Sequence, residues 1–334
     1  MYSEAQQASS SWKFYSTIMS TGTLNDKISA LTLAVQESPL HNMKALESLI
    51  GLGKKRSRTQ AVEVLRSLKD MFAQGTLLPS DRRLRSFANQ PSVLAAFQGA
   101  GNKWSEGDPL PNGLQERHLI VWAFEHRLKE QFFEVLKILE VWCNDEIEFS
   151  RSRAVTYVYE LLREKPEQEA NLLRLLVNKL GDPAKKVASR ASYLLLQLEQ
   201  AHPMMKPTIV RAVEEVIFRP GQSQHAKYYG IITLNQTVLS GKEENVAVQL
   251  LDIYFSLFVT LLKPIKDNKP QGNRGHGKFG KKGGRGRGKD DHTKGQAQAE
   301  EMQDKLISGV LTGVNRAYPF TTSDTERLVV FIRS

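Results

Sequence analysis

The sequence predicts an all-α solenoid of stacked helical hairpins carrying a disordered Gly/Arg/Lys-rich insertion, and three observations lead there. First, residues 172–203 read as two antiparallel helices around a Gly181-Asp182-Pro183 turn. Leu172, Leu173, Leu176, Val177 and Leu180 fall at helical spacing before the turn, and Val187, Ala191, Leu194, Leu195 and Leu198 do so after it. Second, Ser152-Arg153-Ala154, Ser189-Arg190-Ala191 and Ala226-Lys227-Tyr228 recur every 37 residues, and the register continues through Tyr157, Leu194 and Ile231. A helical hairpin cannot bury both its apolar faces alone, so units of this period stack on their neighbours. Third, Asn268 to Gly295 holds nine glycines among lysines and arginines and no aliphatic residue. Such a stretch buries too little surface to offset its ordering entropy and is expected to be disordered.

The turn chemistry resembles that of HEAT/armadillo-like repeats. Asp145 and Asp182 each lie eight residues before the aligned bases Arg153 and Arg190, while the third unit has Arg219 in that place before Lys227. Gly181 suits a left-handed cap on the first helix, and Pro183 suits the first position of the second. The row Arg153, Arg190, Lys227 has two readings. It is a ladder of phosphate contacts, or a structural ladder in which each base satisfies carbonyls or a turn aspartate. Its place just after each turn favours the structural ladder.

In chain order, residues 1–11 are Ser/Gln-rich and expected to fray. Residues 12–113 form irregular helical hairpins. There Thr23-Leu-Asn-Asp26 has the form of a capping box opening a helix with Leu24, Ile28, Leu31 and Val35 on one face. Further helices are expected near 40–50 and 59–74, and residues 77–113, rich in Gly and Pro, form a long connection with short helical pieces. Residues 114–264 carry the regular repeats and residues 265–297 the basic insertion. Residues 298–334 supply the last helices of a solenoid expected to continue into further chain, because the apolar strip 327–333 has no partner of its own.

Composition narrows the function. With 40% hydrophobic and 25% charged residues the chain is ordinary for a soluble fold. The opening lacks a secretory pattern. The most apolar run, 246–262, contains Gln249 and Asp252 and reads as a buried core helix rather than a membrane span. A single cysteine, Cys143, permits no internal disulfide and reads as core packing. The net charge of +10 is concentrated, with eleven Lys/Arg against three Asp/Glu between Lys263 and Gln296. The remainder of the chain is nearly neutral.

No catalytic set emerges. Gly275 to Gly280 matches a dinucleotide glycine pattern, but it neither follows a strand nor opens a helix. The seven histidines have no zinc spacing, so no metal or cofactor is expected. Asn235-Gln-Thr237 matches a glycosylation sequon on a repeat helix and is discounted. What remains is basic. One patch is Lys54, Lys55, Arg56 and Arg58, and a second is Arg82, Arg83 and Arg85. The third is the insertion, with Arg274, Lys278, Lys281, Lys282, Arg285, Arg287 and Lys289. Glycine-arginine segments hold RNA through phosphate charge and guanidinium stacking, with little sequence readout. The alternative role is a solubilising linker or a nuclear-localisation signal.

Several stretches resemble a known family. STGTLNDKISALTL (20–33), VQESPLHNMKAL (35–46), LPSDRRLR (78–85), VASRA (187–191) and LTGVNRAYPF (311–320) are similar to the nucleolar complex protein 1 family, which includes the CCAAT/enhancer-binding protein zeta proteins. The resemblance implies a nuclear, nucleolar protein of early large (60S) ribosomal subunit assembly. It also implies binding of precursor rRNA in the pre-60S particle, pairing with nucleolar complex protein 2, contact with ribosomal proteins, and no membrane. Alternatives are a regulator at CCAAT-box DNA, against which stands the absence of a recognisable base-reading module, and a purely protein-interaction solenoid.

Overall fold

The computed structural model describes residues 10–54, 58–75, 77–99, 103–262 and 289–321. Among them are thirteen α-helices and no strand. The first are α1 (Ser10–Thr21), α2 (Leu24–Glu37), α3 (Met43–Gly53) and α4 (Arg58–Ala73). The capping box at the start of α2 forms as expected. Thr23 Oγ1 accepts from Asp26 N at 3.3 Å, and Thr23 N donates to Asp26 Oδ2 at 3.0 Å. Those bonds satisfy two donors that a helix start otherwise leaves unpaired.

The connection after α4 contains α5 (Pro91–Gly99) and two short 3-10 turns. The regular region follows as α6 (Glu116–Cys143), α7 (Glu148–Glu164), α8 (Glu169–Asn178), α9 (Lys185–Ala201), α10 (Lys206–Ile217) and α11 (Gln224–Gln236). The aligned bases Arg153 and Arg190 are the sixth residues of α7 and α9, and Lys227 is the fourth of α11, so each lies within the first two turns of its helix. Tyr157, Leu194 and Ile231, which share that register, are all buried.

The chain divides into two compact units. The first comprises Met1–Lys179 and Ala184–Leu194, and the second Leu180–Pro183 and Leu195–Ser334. In the first, α2, α3 and α4 pack on one another, α3 packs on α6, α4 on α7, and α7 on both α6 and α8. The irregular hairpins and the first regular pair therefore share one core, filled by Phe72, Leu65, Leu68, Leu128, Phe132 and Leu139. Each such side chain contributes roughly 1.5–3 kcal/mol on burial. Cys143 is part of this core at 1% exposure. In the second unit, α10 packs on α11 and on α12 (Glu244–Leu262), and α13 (Lys289–Ala317) lies against α11 and α12. Helix α12 is long and apolar enough to cross a bilayer. Here it serves the core, burying Val246, Ala247, Leu250, Ile253, Tyr254 and Leu257.

Three local expectations are corrected. Gly181 does not adopt a left-handed conformation, since positive φ among glycines occurs at Gly107, Gly113 and Gly221. Helix α8 instead tightens into a 3-10 turn at Lys179–Gly181. A Cβ on Gly181 would meet the Ala226 Cβ and Gln222 Nε2, each at 3.2 Å, so close packing rather than handedness asks for glycine there. Pro183 precedes rather than opens its helix, because α9 begins at Lys185 and Ala184 O accepts from Val187 N and Ala188 N. Finally, α13 begins at Lys289, so residues 289–297 are helical although the sequence assigned them to the disordered insertion. Their Gln-Ala-Gln-Ala continuation has better helix propensity than the glycine run before it. Residues 263–288 lie outside the described residues, as do the N-terminal 1–9 and the apolar strip at 327–333.

Candidate nucleic-acid interface

The first basic patch sits where α3 ends and α4 begins, and Lys55 and Arg56 lie outside the described residues. The other two members are engaged. Lys54 Nζ reaches Glu134 Oε2 on α6 at 2.8 Å, and Arg58 Nε reaches Asp145 Oδ2 at 3.1 Å. Lys137 and Lys54 both hold the Glu134 carboxyl below its ordinary range. Burial pushes Asp145 up, but the Ile147 N–H and the Arg58 guanidinium prevail and lower it. Both bases remain about half exposed, so a phosphate could displace the acid only in competition with it.

The second patch proves to be a clamp on the connection that follows α4. Arg82 Nη1 pairs with Glu125 Oε1 on α6, and the same carboxylate accepts from Arg85 N at 2.8 Å and Gln90 Nε2 at 2.9 Å. Burial raises the Glu125 carboxyl, and these donors more than reverse it, leaving it below the usual range. Arg83 pairs with Glu169 and donates Nε–H to Pro166 O at 3.1 Å. Close by, Leu84 N donates to Glu167 Oε2 at 2.6 Å, and Lys129 Nζ bridges Glu167 Oε1 and Leu84 O. Of the three arginines, Arg85 alone has its side chain in solvent without an ion pair among the described residues. Sequence reasoning missed Glu125, Glu167 and Lys129, which lie some forty to eighty residues from the loop they hold.

In the aligned row, two of the three bases stack on aromatic rings. The Arg153 guanidinium lies 5.1 Å from the Phe149 ring centre, and that of Arg190 lies 5.7 Å from Tyr193. The carbonyl-satisfying role falls to Arg151, two residues from the aligned position, whose Nη1 donates to Asp145 O and Glu146 O at 2.9 Å each. Asp182 is 3% exposed, and its carbonyl oxygen lies 3.1 Å from His225 Nε2. Lys227 is half-buried on α11. In the insertion, Arg274, Lys278, Lys281, Lys282, Arg285 and Arg287 lie outside the described residues, and Lys289 is the first residue of α13. The sequon asparagine is occupied: Asn235 Nδ2 donates to Gly309 O at 2.8 Å and its Oδ1 accepts from Tyr254 at 2.7 Å. Among the described residues no cluster of His, Cys, Asp or Glu is placed to hold a metal ion.

Comparison with known proteins adds identity to this geometry. No family profile matches the chain. Individual proteins do. The chain is 52% identical over 332 residues to ribosome biogenesis protein NOC1 of Chaetomium thermophilum, which spans 98% of this chain and 32% of that protein. It is 34% identical to human CCAAT/enhancer-binding protein zeta over 96% of this chain and 26% of that one. To nucleolar complex protein 1 of Drosophila melanogaster it is 33% identical over 75% of this chain and 20% of that protein. Over most of its length the chain is homologous to proteins named nucleolar complex protein 1 and ribosome biogenesis protein NOC1. It spans about a third or less of the length of these relatives. The family-like stretch 20–46 builds the capping box, α2 and the start of α3, and 311–320 ends α13 against α11 and α12. The nucleolar complex protein 1 resemblance thus rests on helix caps and helix contacts, with the basic clamp of 78–85 as its polar part.

Proposed function

We propose that the chain is the helical scaffold segment of a nucleolar ribosome biogenesis factor, which holds precursor rRNA and protein partners during assembly of the large subunit and catalyses no reaction. The observation that carries this reading is its 52% identity, over nearly its whole length, to a protein named for ribosome biogenesis. The nucleolar name of the Drosophila relative supports the location. Packed amphipathic helices offer exposed helix faces suited to holding partners, of which nucleolar complex protein 2 and ribosomal proteins are the ones the family resemblance implies. Basic residues at 54–58, Arg85 and the insertion supply phosphate attraction that weakens as salt rises.

The name of the human relative favours a second reading, recognition of CCAAT-box DNA. Competition separates the two. Labelled pre-rRNA fragment bound to the chain should be displaced by unlabelled RNA at concentrations where a CCAAT duplex and a scrambled duplex act equally and poorly. Preferential displacement by the CCAAT duplex would reverse the assignment.

A further inference from the structure

The packed pair α4 and α7 in the first unit presents cations that the family-like basic patches do not include. Arg66 is exposed on α4 and Arg153 is exposed on α7, and neither forms an ion pair among the described residues. Their neighbours differ: Arg58 is held by Asp145, and Lys69 by Asp70 and Glu160. Both guanidinium groups lie close enough to Tyr157 to act on its phenol. Burial pushes that phenol up, Arg153, Lys69 and Arg66 pull it down, and Glu63 adds to the rise. Phe149, one turn before Arg153, leaves 57% of its surface in solvent and carries the Arg153 guanidinium over its ring. An exposed aromatic capped by a cation without a counter-ion gives nothing to the core. It does offer a flat, polarised surface of the kind on which an unpaired base stacks. A duplex keeps its bases stacked inside and cannot use that surface.

We propose that the α4–α7 seam binds single-stranded RNA, with one unpaired base stacked on the Arg153–Phe149 pair and a neighbouring phosphate on Arg66. This rests on the RNA-binding reading above and gives it a place on the folded surface. The two contacts differ in their dependence on salt. A phosphate contact on a single strand contributes about 0.7 to the slope of log affinity against log salt, and a stacking contact contributes affinity at every salt concentration.

Fluorescence anisotropy of the whole chain with a 20-nucleotide uridine strand, repeated across a salt series, tests this. Arg66→Ala is expected to flatten the slope by about 0.7. Phe149→Ala is expected to weaken binding about fivefold or more with the slope unchanged, and Phe149→Trp to retain it. Neither variant should alter affinity for an RNA duplex of the same length or lower the melting temperature, since both side chains are exposed. If the intact chain binds the strand and both variants match it in affinity and slope, this site is wrong and the RNA-binding reading stands. If the intact chain binds neither strand nor duplex, both fall. Equal losses on strand and duplex would also overturn the single-strand assignment.

Discussion

Glu199 on α9 is 2% exposed, and its two oxygens fare differently. Oε1 accepts from Thr237 Oγ1 at 3.1 Å, while Oε2 is buried with no partner. Burial raises this carboxyl from 4.5 to about 7; Thr237 and the nearby Lys206 pull it down, and Glu243 adds to the rise. Lys206 cannot neutralise Glu199 because it is already committed to Glu243 and to Val238 O. The folded state therefore binds the Glu199 proton more tightly than the unfolded state does. Its contribution is fully present below about pH 4.5 and is lost as pH rises through about 7. The difference amounts to about 3 kcal/mol across that window. Glu199→Gln keeps the shape and removes the charge. It is expected to remove this slope and leave the variant more stable than the parent at pH 8, as denaturant titrations at pH 5 and pH 8 would show. A parent slope that persists in the variant would place the titration elsewhere.

At the scale of elements, what could be read ahead of the structure was what depends on near neighbours. The Thr23–Asp26 box closes over three residues, so its chemistry is complete in the sequence. The face of Ile28, Leu31 and Val35 on α2 is likewise legible, and all three are buried. Gly181 was misread because a packing requirement and a conformational one both select glycine. The base that satisfies the turn carbonyls was placed at Arg153 rather than Arg151, since the repeat fixes which turn of a helix matters but not which way a side chain leaves it. The Glu125 clamp had no sequence signal at all, because its donors sit 35 to 43 residues away. The glycines of α13 extend the lesson. A Cβ on Gly313 would fall 2.6 Å from Asn235 Oδ1 and collide with the ring of Tyr254, a buried side chain hydrogen-bonded to that same asparagine. Neither neighbour can yield without breaking that bond. Gly313→Ala is thus expected to cost about 1–3 kcal/mol despite its better helix propensity. Gly51→Ala on α3, where nothing lies within 4 Å, should instead gain about 0.5–1 kcal/mol. Thermal melts of the two variants should move in opposite directions.

Over the whole molecule, folding and charge are carried by different parts of the chain. Residues 268–288 contain seven Lys/Arg, no Asp or Glu and no aliphatic side chain, a composition that favours attraction for phosphate over burial in an apolar core. The folded patches are by contrast largely compensated, as Glu134, Asp145, Glu125 and Glu169 each take a base. Most of the salt-sensitive affinity for RNA should therefore reside in the stretch between α12 and α13. Seven phosphate contacts on a single strand would give a slope of about 5 in log affinity against log salt. Excising 268–288 leaves α13 intact from Lys289 onward. The excised chain is expected to melt at the parent temperature and to lose most of that slope, while keeping whatever affinity the α4–α7 seam supplies. An unchanged slope would move the charge contacts onto the folded surface, where they would have to compete with the carboxylates already seated there. A lowered melting temperature would show instead that the stretch supports the packing of α12 and α13, and its removal would then report on the fold as well as on binding.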